Sequence, residues 1–268
     1  MGQIVRMDSQ EITRRTFLAA LIASQLPGRS CQANMSGQWI DSHQQGRYQI
    51  VSEFSLKSLR TVTEDLQRLE NHLATYLQLS IPQAPIEIYL YKNSRNFSAA
   101  AKAVSSNMRN RRALYVQSGE KKQVLVYSSS SLMTDLRHET THALMHCAVP
   151  YLPLWLDEGL AELFEVVLKS GQAHPHLASL KWSSRWRWKP NLQQLGNLTE
   201  EAKMTAAHYR DSCAVTHYLV HGDVEAHQVM VDYLKTAQQG DWNGTLVEKL
   251  LKIPRIESKI LNHVRRNC

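Results

Sequence analysis

The sequence is poor in cysteine, with only Cys31, Cys147, Cys213 and Cys268, and none of them forms a Cys-x-x-Cys pair. That argues against a cysteine-ligated metal. With Cys31 in the N-terminal segment, three thiols are left, so no full disulfide framework is implied, and the spacing names no pairing for a single bridge. No run of 18 apolar residues occurs, so no integral membrane span is expected. Lys and Arg number 31 against 24 Asp and Glu, a formal net charge of +7. These basic residues are scattered rather than gathered in a stripe, and no nucleic-acid-binding signature occurs, so no nucleic-acid partner is expected. Internal repeats are also lacking. What is present is ordinary globular composition, 43% hydrophobic and 21% charged over 268 residues. A chain of that length makes one or two domains and buries a core without disulfide staples.

Residues 13–18, Thr13-Arg14-Arg15-Thr16-Phe17-Leu18, resemble a twin-arginine export signal. An apolar stretch from Phe17 to Leu26 follows, and Pro27-Gly28 closes it. It has the length of a signal core and is too short to span a membrane as a helix. Residues 1–33 are thus expected to be an export signal, which implies a periplasmic or extracellular protein. An ordinary amphipathic first helix is the alternative. Lipidation of Cys31 would anchor the N-terminus to a membrane, but Arg29, two residues earlier, fits a lipidation motif poorly.

Residues 34–47 are polar and rich in Gly and Gln, and read as a linker. A single domain is expected over 48–268. Residues 48–54 alternate as a strand does, and so do Ile86–Tyr91. Between them, Leu59, Val62, Leu66, Leu69, Leu73 and Leu77 follow helical spacing within 56–79. A short helix is expected near 94–105. Two strands follow, Ala113–Gln117 and Gln123–Ser128, joined by a turn at Gly119. From residue 131 the pattern becomes helical: Leu132–Ala148, Leu154–Leu168, 200–221, 224–238 and about 244–264, with 172–200 irregular. A β-rich first half before a helical second half predicts an α+β domain.

The sharpest motif is His138-Glu139-Thr140-Thr141-His142. Residues four apart on a helix share one face. Two imidazoles so placed chelate one Zn²⁺. Glu139, offset by one residue, faces the open coordination position. There it acts as a general base, taking a proton from water at the metal. His146 continues the same face, but three successive turns of one helix cannot converge on one tetrahedral ion, so it reads as structural.

A catalytic zinc takes three protein ligands and keeps one position open. Downstream runs Leu154-Trp155-Leu156-Asp157-Glu158-Gly159-Leu160-Ala161-Glu162. This segment resembles the third-ligand helix of the gluzincin metallopeptidases, in the form found in M1-type aminopeptidases and small peptidase MA-like domains. The resemblance implies a thermolysin-like core with a small mixed sheet. It implies Glu158 as the third ligand and Glu162 as the carboxylate that orients His138. One zinc ion per chain and a peptide or protein substrate come with it. Fifteen residues separate His142 from Glu158, fewer than in thermolysin or the large aminopeptidases, and nearer to the small domains. The aminopeptidase Gly-x-Met-x-Asn motif is absent, so exopeptidase action has no support.

The segment Tyr209–Leu219 is similar to the aminopeptidase helix that opens with the oxyanion-binding tyrosine. Tyr209 takes that role by resemblance, with His208 as the alternative donor. One of the two strands within 113–128 is expected to pair with extended substrate, as the family's edge strand does. Trp182, Trp186 and Trp188, interleaved with Arg185 and Arg187, either line a cleft or pack a hairpin. Two rival readings stay open: a zinc-binding but catalytically silent exported scaffold, and a zinc hydrolase of a non-peptide amide.

Overall fold

A computed structural model gives the architecture of residues 39–267, apart from 57, 105–110, 168–173, 179, 181–186, 200 and 242. The export segment, Cys31, Cys268, Trp182 and Trp186 lie outside the described residues. Five strands form one mixed sheet in the order β1-β2-β3-β5-β4. They are β1 Asp41–Gln45, β2 Tyr48–Ser52, β3 Ile86–Tyr91, β4 Ala113–Ser118 and β5 Lys121–Tyr127. The two central pairings, β2 with β3 and β3 with β5, are parallel, while both edge strands run antiparallel to their neighbours. Helices dominate after residue 131, so the α+β expectation and the small mixed sheet are both observed.

Within the stretch read as a linker, Asp41–Gln45 is strand β1, while residues 34–38 lie outside the described ones. All five residues of β1 are polar, so it carries no apolar alternation to read. Its order comes from pairing with β2, Asp41 opposite Ser52 through Gln45 opposite Tyr48. The β4–β5 hairpin turns at Gly119, whose φ of +59° is costly for a residue with a Cβ.

Helix α1, Leu59–Leu77, begins where the Ser58 side chain accepts from the Thr61 N–H. All six of the residues spaced helically in the sequence are buried. Helix α2 covers Ser94–Val104. The next two helices, α3 Leu132–Ala148 and α4 Leu154–Phe164, form a helical hairpin closed by Pro150 and Pro153. Leu136, Ala143, Leu144 and Met145 are fully buried, and α3 lies against β4 and β5 on one side and α4 on the other.

Helix α4 stops at Phe164, short of the expected Leu168. The Arg137 guanidinium donates to the Phe164 carbonyl at 2.8 Å and 3.0 Å and to the Glu165 carbonyl at 3.2 Å. A buried cation on the last carbonyls, itself paired with Asp65 at 2.9 Å, satisfies the helix end. Within the stretch read as irregular, α5 covers Leu192–Gly196. Trp188 is buried and donates its indole N–H to Asp211 at 2.8 Å, so it packs rather than lines a cleft.

Helix α6, Ala206–His221, starts at a Thr205 cap and is followed by α7, Val224–Gln238. The helix expected over 244–264 is two: α8 Leu246–Leu250 and α9 Ile256–Asn267. Pro254 and the left-handed Arg255, φ +56°, separate them. Cys147 and Cys213 are both free thiols. Among the described residues, no helix is long and apolar enough to cross a membrane.

Candidate metal centre

His138 and His142 stand one turn apart on α3, and Glu158 comes from the first half of α4. The hairpin brings them together. Glu158 Oε2 lies 3.6 Å from His138 Nε2 and 3.8 Å from His142 Nε2. Both separations are too long for hydrogen bonds. Two ligands each about 2.0–2.1 Å from a tetrahedral ion stand roughly 3.3–3.4 Å apart. The three atoms therefore do not hydrogen-bond one another and stand near the spacing of ligands around one ion, so these residues could hold a metal.

Each imidazole meets a carboxylate on its other nitrogen. His138 Nδ1 hydrogen-bonds Glu165 Oε2 at 3.0 Å. His142 Nδ1 lies 3.0 Å from Asp157 Oδ1, off the hydrogen-bond axis. An imidazole whose Nδ1–H faces a carboxylate keeps its Nε2 lone pair for a metal. Burial resists ionisation of Glu165, but hydrogen bonds with His138 and His176 outweigh it and hold that carboxyl at about 2. Asp157 likewise stays far below the usual carboxylate range, with His142 and His146 overcoming its burial. Burial also opposes charge on the two imidazoles, yet Glu158 and Glu165 raise His138 well above its ordinary value. Asp157 and Glu158 carry His142 up to about 9. The carboxylate-rich cluster attracts positive charge, a donor set of two nitrogens and one oxygen that fits a divalent ion.

The resemblance implied Glu162 as the carboxylate that orients His138, and in the structure a second carboxylate, Glu165, stands on His138 Nδ1. Glu165, just past the end of α4, makes the hydrogen bond, while Glu162 pairs with His176. His138 also belongs to a second group, with Glu162 and Glu165, whose ligand atoms lie close together. A neutral imidazole that donates from Nδ1 to Glu165 has no Nδ1 lone pair for that group. The geometry thus favours Glu158 as the third partner.

Glu139 is buried beside this cluster, and its Oε2 accepts a 2.7 Å hydrogen bond from the Tyr115 backbone N–H of β4. Burial raises the Glu139 carboxyl, against the pull of His138 and His142. The Tyr115 ring lies nearly parallel to those of His142 and His146. A cavity of about 1020 Å³ opens over the cluster, lined by Tyr209 and Arg111 among others. Burial, and then Glu158 and Glu201, push the Tyr209 phenol well above its ordinary value. Arg111 is ion-paired with Glu201, and both line that cavity. His208 turns back instead, with its Nδ1 3.3 Å from the Thr205 N–H of its own helix cap, and it does not line the cavity.

No known protein family model matches the chain, and no curated protein is significantly similar to it.

Sequence reasoning did not assign roles to Asp157, Glu165, Tyr115 or Arg111. Asp157 stands beside Glu158 in the chain, and Glu165 lies seven residues beyond it, two turns along one face, so spacing offers a signal for both. Tyr115 and Arg111 reach the site from the edge strand and the segment before it, and nothing local in the sequence marks them.

Proposed function

We propose that this chain is a zinc-dependent metallopeptidase of the gluzincin type, with a thermolysin-like core. The observation that carries the reading is the convergence of His138 Nε2, His142 Nε2 and Glu158 Oε2 at 3.6–3.8 Å beside a buried Glu139. Zn²⁺ held by these three residues would supply a Lewis acid that polarises the scissile carbonyl and brings the pKa of water toward 7. Glu139 takes the proton of the attacking water on one oxygen while the Tyr115 N–H holds the other. It then passes that proton to the leaving amine. Tyr209, on the cavity wall, donates to the oxyanion of the tetrahedral state.

The substrate is a peptide or protein lying along β4, the edge of the sheet on this side. Strand β5 is paired on both sides, which leaves β4 as the strand able to accept a further one. Tyr115 turns its N–H away from β5, so Ala113 and Gln117, two residues to either side, direct their backbone groups the same way. The arginine pair Arg14-Arg15 is the ground for placing the enzyme in the periplasm or outside the cell.

Cleavage of casein or mixed peptides by zinc-loaded protein tests the proposal. The parent should cut, and Glu139→Gln at equal zinc loading should be slower by about 10²–10⁴-fold. A zinc-loaded parent that cuts no peptide, or a variant as fast as the parent, would overturn it.

A further inference from the structure

We propose that His146 is a positioning residue for the metal centre, acting on His142 through Asp157. The proposal rests on the metal reading of His138, His142 and Glu158. His146 continues the α3 face of His138 and His142 by one more turn, too far along the helix to join them on one ion. Its Nε2 lies 3.1 Å from Asp157 Oδ2 in hydrogen-bonding geometry. A carboxylate oxygen accepts, so His146 Nε2 is the donor of this bond.

The two oxygens of Asp157 are thus divided between two imidazoles. Oδ2 takes the aligned bond from His146, and Oδ1 lies 3.0 Å from His142 Nδ1, off axis. The aligned bond fixes the rotation of the carboxylate, and that rotation puts Oδ1 against His142. His142 in turn keeps Nδ1–H toward Asp157 and aims Nε2 toward Glu158. Tyr115 completes the block. Its ring lies 5.7 Å from that of His146 at 21° and 6.4 Å from that of His142 at 18°. Its N–H meanwhile holds Glu139. Ring planes, carboxylate and general base are therefore tied together through one aromatic residue and one aspartate.

A residue that serves only packing would tolerate loss of its N–H when its shape is kept. A positioning residue would not. His146→Phe keeps a flat ring under Tyr115 and removes the donor. His146→Gln keeps an N–H donor without the ring, and His146→Ala removes both. The test is the zinc affinity of the full chain, measured by competition with a chromophoric chelator, with thermal unfolding of the metal-free proteins alongside. Loss of an outer partner of a metal ligand typically weakens binding by roughly 10–100-fold, and an effect relayed through one more residue belongs at the low end. We expect about tenfold weaker zinc binding in His146→Phe and His146→Ala, with recovery of most of that loss in His146→Gln. Zinc binding by His146→Phe equal to the parent's would overturn the proposal, as would an equal loss in the Phe and Gln variants. If the parent itself binds no zinc, the metal reading fails first and this proposal with it.

Discussion

Glu158, Glu162 and Glu165 lie along one side of α4 and its C-terminal end, and position along that side decides what each carboxylate meets. Glu158 faces two Nε2 atoms, Glu162 pairs with His176, and Glu165 hydrogen-bonds His138. Replacing Glu165 by Gln should weaken zinc binding by about 10–100-fold, the usual cost of losing a ligand's partner. Glu162→Gln should cost less, because its contact is with His176, and the same chelator titration separates the two. Tyr209→Phe should lower kcat by about 10²–10³-fold with zinc content unchanged, if its hydroxyl serves the oxyanion. Equal kcat in Tyr209→Phe would remove Tyr209 from the mechanism. The three residues that come together here could be picked out at this scale because His138 and His142 are local in the chain and Glu158 stands in a motif-like context. Glu165 could not, since which of two acids reaches His138 depends on how α4 ends. That end is set by Arg137, whose guanidinium caps the last carbonyls. Tyr115 and Arg111 come from other elements, beyond the reach of any local pattern.

Elements succeed or fail by how closely they approach. At Gly159 the backbone of α4 presses on α6. A Cβ there would collide with the Thr216 hydroxyl and stand 2.7 Å from the Ser212 carbonyl oxygen. Gly159→Ala should therefore destabilise the fold by about 1–3 kcal/mol in urea unfolding, an overpacking cost that outweighs the helix propensity of Ala. An unchanged midpoint would show that the two helices part without cost. Helix α9 docks on α6 partly through imidazoles. His217 Nδ1 and His263 Nε2 are 2.8 Å apart, a bond that needs a lone pair on one ring. Burial, then the neighbouring histidines His221 and His263, hold His217 down to about 3, and burial with His221 holds His263 to about 4. Unfolded histidines near 6.5 bind protons that these folded ones refuse, so stability should fall as pH drops from 6.5 toward 4. His217→Gln should flatten that slope, and parallel pH curves for variant and parent would contradict it. The division of α8 from α9 escaped the sequence pattern, because the apolar spacing runs on through Leu250 and Ile253 while Pro254 and Arg255 turn the backbone.

The whole molecule joins a sheet to a helical half, and α3 is the joint. It rests on β4 and β5 and carries both histidines toward α4. The sheet supplies the edge and the Tyr115 N–H, and the helices supply His138, His142 and Glu158, so the cluster is assembled only when both halves fold. Zinc should therefore stabilise the entire chain. At free zinc a hundred times its dissociation constant the gain is about 2.7 kcal/mol, and a chelator should remove it as a fall in Tm. An α+β architecture was legible because segments alternating by two occur only before residue 128, interleaved with two helices, while the pattern after 131 repeats by 3.6 alone. Strand β1 was not, because a polar edge strand has nothing to alternate. The most direct measurement is the zinc bound per chain, in the parent and in Glu158→Gln. The account predicts one zinc in the parent and a marked loss in the variant. No zinc in the parent, or one zinc held equally well without the Glu158 carboxylate, would contradict it.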